Sequence, residues 1–385
     1  MTEVVIAGIG QVPVGEHWNI SLRSLADRAM LAARKDAGGL QPQAVYIGNF
    51  LASVISHQAN LGSLLTDNAG FKGVEAYTVE AAGASGAAAL RVGYLAVASG
   101  FVDTAMVVGV EKITDMVGTE VESAVALSSD YDYEAVQGIT VAAQAGLLMQ
   151  RYIHEFNVPA NAFAQIPILA HANAAHNPNA YFRKAISLDA YQKSEMVSDP
   201  LNIYDMAPQA DGAAAVILTR ADLAPKDLPH PLVRISGSSV VIDTLALHDR
   251  TAPLGFEAAG HSVEHACRQA GILPADVDLF EVDDAFSIYA VLSLEAAGFA
   301  KRGQGWLLEG LKKQMPILTM GGCKGRGNPY GATGIYQAVE AVMQLRGQAG
   351  ENQVAGAKRA LIQSLGGPAS TAVSHVLERW PVNGA

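Results

Sequence analysis

Short apolar runs recur along the chain, and most are followed by a segment whose apolar positions fall three or four residues apart. The first pattern predicts strands and the second predicts helices buried along one face. In the first half, residues 4–8 read as a strand, 22–37 as an amphipathic helix and 44–50 as a second strand. Residues 76–79 predict a further strand that turns sharply at Gly83 into a helix of small residues, 86–98. The runs 104–110 and 212–218 are apolar throughout, as strands covered on both faces are.

The second half repeats this grammar. Strands are expected at 232–239 and 278–282, helices at 256–270 and 286–297, and a Gly-rich elbow, 321–334, opens the helix 335–345. Two strands, 359–364 and 371–377, close the chain. Alternating strands and helices in two similar halves argue for a layered α/β architecture with mixed sheets. The division expected is residues 1–112 with 211–225 as one half and 226–385 as the other. Between them, 113–210 is an insertion with helical patches at 142–156 and 161–175, apolar enough to be read as a binding lid.

Composition narrows the function classes. The 385 residues can bury a large core spread over two or three domains. Net charge is −11, from 26 basic against 37 acidic residues with no basic run, which argues against nucleic acid as a partner. The longest small-residue stretch, 81–110, is broken by Arg91, Ser99 and Asp103, so no membrane span is expected. The first residues run directly into a strand, without a leader pattern, and a cytoplasmic location is the expectation. Cys267 and Cys323 make neither a disulfide framework nor a metal cluster.

Four phrases carry a resemblance: Gly109-Val110-Glu111-Lys112-Ile113-Thr114-Asp115, Asp211-Gly212-Ala213-Ala214-Ala215, Glu281-Val282-Asp283-Asp284-Ala285-Phe286 and Gly327-Asn328-Pro329-Tyr330-Gly331-Ala332-Thr333-Gly334. In this order, within a duplicated chain, they resemble the thiolase superfamily, most strongly the archaeal-type and sterol-carrier-protein-like thiolases. The resemblance implies the thiolase fold, two βαβαβ-type halves in an αβαβα arrangement with a loop domain inserted in the first. It also implies a cysteine nucleophile at the first elbow, a histidine base in the second, and a histidine or asparagine at the strand-end motif. This chain has Gly83, Asn328 and Asp283 there. Glycine cannot be acylated, asparagine cannot shuttle a proton at neutral pH, and an ionised aspartate repels an oxyanion. Three independent changes favour natural divergence over a single substitution made to trap a ligand.

Main-chain donors survive such losses. The N–H groups of Gly83 and of the Gly366-Gly367 turn are candidates for an oxyanion hole, and the alternative is that these glycines only permit tight turns. Asp283, in a dry pocket, would have a raised pKa and serve as acid or base. Asp284 is expected to cap the helix beginning near Phe286. Tyr330, on the second elbow, is a candidate for proton relay. Tyr289, one turn into a helix, is a candidate substrate contact whose ordinary place is the core, with a satisfied hydroxyl. Cys323 reads as an inert thiol and Cys267 as core. His171 and His176 read as polar helix-end and loop groups, and Lys324 with Arg326 as a solvated loop.

Three functions remain open: a cysteine-independent retro-aldolase of β-hydroxyacyl-CoA, an acetyl-CoA acetyltransferase in an inactive or degenerate form, and a non-catalytic acyl-CoA-binding subunit. No cofactor is implied beyond a coenzyme A thioester as substrate or ligand. The resemblance further implies a homodimer or tetramer, paired through the strand 104–110 with the Gly83 helices near the interface. It also implies a small OB-fold partner protein.

Overall fold

A computed structural model describes residues 2–159, 161–310 and 315–380. The first strands are β1 (Val4–Gln11), β2 (Ala44–Gly48), β3 (Glu75–Val79) and β4 (Thr104–Glu111). A two-stranded ribbon, β5 (Met196–Ser198) and β6 (Leu201–Asn202), lies in the insertion. Then follow β7 (Gly212–Arg220), β8 (Val233–Ile242), β9 (Leu279–Glu281), β10 (Arg359–Gly366) and β11 (Thr371–Arg379). Apart from the ribbon, all nine form one mixed sheet in the order β3-β2-β4-β7-β1-β8-β11-β10-β9.

That order is a repeat. Each half starts with a strand antiparallel to its last strand (β1 with β7, β8 with β11), and that last strand is antiparallel to the next (β4 and β10). A parallel pairing follows, β4 with β2 and β10 with β9. The place of β3 is taken in the second half by Ile317, bridged in parallel to Phe280. Only two residue pairs, Val5 with Arg234 and Ile6 with Val233, join the halves at β1 and β8.

The principal helices are α1 (Leu22–Asp36), α2 (Leu61–Asn68), α3 (Ser85–Ala98), α4 (Thr119–Val125), α5 (Val141–Phe156), α6 (Gln165–Ala174), α7 (Leu188–Gln192), α8 (Glu257–Ala270), α9 (Ser287–Ala296) and α10 (Thr333–Arg346). α1 shows why the periodicity was readable: Leu22, Leu25, Ala26, Ala29, Met30 and Ala33 are buried on one face, and Ser21 caps its start by accepting from Ser24 N. The short helices α2, α4 and α7 carry too few periodic positions for a pattern to emerge.

Three apolar layers separate the elements. α1 packs through Leu25 and Met30 on Ile47, Met106 and Val108 of the first half. α3 and α10 lie between the halves, where Leu90 and Val339 share a core with Val107, Leu218, Ile362 and Leu377. α8 and α9 cover the other side, on Phe280, Leu361 and Val376, and there the insertion docks through Leu148, Tyr152 and Phe163. The sequence of layers is αβαβα. The middle helices touch closely: a Cβ on Gly334 would stand 2.4 Å from Ala87 N.

The expected pairing strand is not available. β4 lies between β2 and β7, is buried at every position and is in register with both neighbours. Its hydrogen-bonding edges are used, so 104–110 cannot join a second copy. The open edge is β3, which exposes Tyr77, whereas the outer side of β9 is covered by the 316–318 segment. No described helix is long and apolar enough to cross a membrane.

Candidate active site

The two central helices are entered by the same turn. Ala82-Gly83-Ala84-Ser85-Gly86 leads into α3, and Tyr330-Gly331-Ala332-Thr333-Gly334 leads into α10, each through one 3₁₀ turn. The left-handed residue is the first of each, Ala82 at φ +48° and Tyr330 at φ +30°. Gly83 itself has no positive φ, so the expectation that it makes the sharp bend is corrected. Its glycine supplies clearance: a Cβ there would lie 2.7 Å from the Leu365 carbonyl oxygen. Ser85 Oγ fastens the turn, accepting from Ala81 N and donating to Ala82 O.

Gly83 opens onto a cavity with about 690 Å³ of atom-free space, part of it solvent, at the junction of both halves and the insertion. Asp283, Tyr289, Asn328, Tyr330 and Gly367 line it as well. Among the described residues, neither Gly83 N–H nor Gly367 N–H has a hydrogen-bond acceptor. Gly367 starts the turn between β10 and β11 at φ +56°. Gly366 is not in the lining: it ends β10 opposite Thr371, and a Cβ on it would meet Ala81 O at 2.6 Å. It is a packing position against the first elbow.

The Asp283 carboxylate is buried, and its two oxygens accept from Ala285 N and Leu365 N, each at 3.0 Å. Burial, only partly offset by these two bonds, pushes its pKa up to about 6. Asn328 Oδ1 accepts from Thr333 Oγ1 at 2.9 Å, which leaves its NH₂ without a partner among the described residues. Tyr289 is buried, and its hydroxyl has no partner either, contrary to the expectation of a satisfied core tyrosine. Burial raises its pKa, and that of Tyr330. The rest of the wall is apolar, from Phe50, Val125, Val141, Met206 and Phe286.

Comparison with known proteins gives this arrangement its family. Residues 4–222 match the thiolase N-terminal domain, and residues 239–379 match a thiolase C-terminal domain-like family. The chain belongs to the thiolase family. The acetyl-CoA acetyltransferase of Methanothermobacter thermautotrophicus is 39% identical over 98% of this chain and 100% of its own. A benzoylsuccinyl-CoA thiolase subunit of Thauera aromatica is 29% identical over 91% of each. Among solved structures, an Ltp2–ChsH2(DUF35) aldolase superposes with a TM-score of 0.83 at 24% identity, covering 98% of both chains, a likeness of fold.

In this thiolase-family chain several side chains sit elsewhere than the sequence suggested. Asp284 does not cap α9, whose N-cap Phe286 lies two residues further on and whose first turn has no side-chain cap. It accepts instead from Cys323 N and Lys324 N, holding the Gly322–Arg326 turn of the second elbow. Lys324 and Arg326 are not a solvated loop; both are buried. Lys324 Nζ donates to Asp205 O at 2.6 Å, and Arg326 pairs with Glu340 at 2.8 Å beside the Tyr336 ring. Burial lowers the Lys324 pKa to about 8. Cys323 is buried, its thiol pushed well up by burial, and Cys267 is core. His171 is buried, stacked on Phe182, whereas His176 is half exposed beside Glu351.

Sequence reasoning passed over three acids of the thiolase-family frame. Glu122 lines the cavity and accepts from Gln209 Nε2 at 2.7 Å. Glu111, buried at the end of β4, accepts from Asn49 Nδ2 and Leu51 N on one oxygen and from Phe50 N and Gly331 N on the other. Asp211 accepts from His17 N, Ile113 N, Thr114 N and Thr114 Oγ1 and pairs with Lys112. The last two lie inside quoted phrases, where the available signal was an acid closing an apolar strand (Glu111) and a lone acid opening one (Asp211).

Proposed function

We propose that this chain is a cysteine-independent lyase of the thiolase family that cleaves β-hydroxyacyl-CoA thioesters by a retro-aldol reaction. One observation carries the reading. A single cavity unites two main-chain N–H groups without acceptors, a carboxyl whose pKa burial pushes up to about 6 and two tyrosines, and among the described residues neither a thiol nor an imidazole lines it. We assign Gly83 to the position of the family's nucleophilic cysteine. The nearby Leu365 carbonyl argues against a side chain at that point, and so against an acetyltransferase awaiting one replacement.

The chemistry balances without an oxidant or a covalent intermediate. Asp283, through the Tyr330 hydroxyl, takes the proton of the β-hydroxyl. The Cα–Cβ bond breaks, a carbonyl forms at Cβ, and the electron pair passes to the thioester enolate. The Gly83 and Gly367 N–H groups, with the Asn328 amide, donate to the enolate oxygen, and Tyr289 lines the cavity beside them with its hydroxyl turned into the buried wall. The proton then returns to Cα, giving a shortened acyl-CoA and an aldehyde or ketone.

A base must be ionised to act, so kcat/KM should rise from pH 5 and level off above about pH 6, the carboxyl's pKa. Asp283→Asn should lose on the order of 10²–10⁴ in kcat and abolish that rise, while calorimetry still registers acyl-CoA binding. Cleavage unaltered in Asp283→Asn and in Tyr330→Phe would remove both residues from the mechanism. Acyl-CoA binding without cleavage of any β-hydroxyacyl-CoA would leave the reading of a non-catalytic subunit. For assembly we propose a homodimer closed through the open β3 edge, and a small partner protein, as ChsH2(DUF35) accompanies Ltp2 in the Ltp2–ChsH2(DUF35) aldolase.

A further inference from the structure

Behind the cavity wall lies a cation that the proposed mechanism leaves unused. Arg250 comes from the loop after β8, and its side chain is 2% exposed. Its Nε donates to Thr244 O at 2.8 Å, with Asp243 3.9 Å away, and its Nη1 donates to Pro368 O at 2.5 Å. Pro368 adjoins Gly367, so this bond fixes the turn that presents the Gly367 N–H to the cavity. Arg250 Nη2 is buried without a partner among the described residues, and so is the Tyr289 hydroxyl, on which the Arg250 charge acts. The charged groups that act on Tyr289 are Arg250, Asp283 and Glu134. Those that act on Arg250 are Asp243, Glu134 and Tyr289, and His248 lies 3.9 Å from Glu134.

A buried guanidinium with a free N–H is costly unless something completes it. Two of its donors hold backbone carbonyls on separate loops, a rigid use of the planar fork that an ammonium cannot reproduce. We infer that Arg250 is a positioning residue: it clamps the Gly367 turn in the orientation that receives a thioester oxygen and sets the field at the Tyr289 hydroxyl. The inference rests on the retro-aldolase reading, which supplies the charge that develops on that oxygen. Without the clamp, the Gly367 N–H loses its aim and the Tyr289 O–H loses its cationic neighbour, while the body of the ligand keeps its contacts.

The test compares the full-length protein with Arg250→Gln, Arg250→Lys, Tyr289→Phe and the Arg250→Gln/Tyr289→Phe double variant. On a panel of β-hydroxyacyl-CoAs, Arg250→Gln should lower kcat by about 10²-fold, the scale of losing one oxyanion donor, with KM within threefold. Arg250→Lys should recover part of the loss. The double variant should be less impaired than the product of the two single losses, because both act on one unit. A second readout needs no turnover. The parent should bind an acyl-CoA thioester more tightly than the thioether analogue lacking the carbonyl, and Arg250→Gln should erase that preference. Unchanged kcat in Arg250→Gln, strictly multiplicative losses, or a preserved preference would each overturn the inference. If Arg250→Gln does not fold, Arg250→Lys decides: a kcat and preference equal to the parent's refute the clamp. If the parent cleaves no substrate, the retro-aldolase reading fails by itself, and the thioester preference still judges Arg250.

Discussion

At the first elbow, Ala82-Gly83-Ala84-Ser85-Gly86 is held by main chain and one serine, and its glycine faces a single obstruction, the Leu365 carbonyl. At the second, Tyr330-Gly331-Ala332-Thr333-Gly334 stands on a buried ionic network: Asp284 under the preceding turn, Lys324 on Asp205, Arg326 on Glu340. A Cβ on Gly331 would meet Phe50 N, Asn49 Cα and Glu111 Oε2 within 2.7–2.8 Å. Two copies of one turn have thus been put to different uses. The lightly held copy presents backbone donors to the cavity, and the heavily anchored copy fixes the side chains of Asn328 and Tyr330 beside them. Geometry that resides in main chain and in buried charges at a distance from the cavity does not depend on which side chain the first elbow carries.

The widest separation between the elbows should come from Arg326→Met. Removing one member of a buried pair strands Glu340 and should cost about 3–5 kcal/mol in a urea titration. A loss below 1 kcal/mol would show that the second elbow does not depend on its network. Adding a methyl tests the turns directly. Gly331→Ala and Gly83→Ala should each destabilise by about 1–3 kcal/mol, with Gly331→Ala the worse because three groups must move instead of one. Equal losses would erase the distinction. Gly83→Cys should likewise shift the Leu365 backbone, and digestion after incubation with acetyl-CoA should yield no acetylated peptide from residues 76–91. The smallest stability effects belong to the hydroxyls. Ser85→Ala and Thr333→Val should each cost about 1 kcal/mol. Only Thr333→Val should also weaken thioester binding, since it frees the Asn328 amide to rotate.

Local pattern made most of the fold readable. Strands such as β4 and β7, continuous in Val, Ile and Ala, and helices such as α1 and α8, with one apolar face, announce themselves within a window of ten residues. Gly83, Asp283, Asn328 and Tyr330 were singled out through the family resemblance of the phrases around them, and the structure lines one cavity with all four. What stayed hidden depends on distant partners. Lys324 and Arg326, in a glycine-rich run, look exposed until Asp205, Asp284 and Glu340 arrive from elsewhere in the chain. Asp284 looks like a helix cap because the turn it holds is about 40 residues away. Strand order is equally non-local, so β4 and β3 could not be told apart as edge and centre before the sheet was assembled.

Glu111 has a consequence for how the cavity wall responds to pH. One carboxylate fastens the Phe50 backbone from the first half and the Gly331 N–H beside Tyr330 from the second, and the Phe50 and Tyr330 rings stand 6.4 Å apart, centroid to centroid. The seam of the cavity wall that those two edge-packed rings make is therefore riveted at its root and cannot part unless a bond to Glu111 yields. The rivet carries a pH setting, because burial lifts the Glu111 carboxyl to about 7. As pH falls through that value the rivet takes up a proton, gives up part of its capacity to accept, and the seam between the two halves loosens.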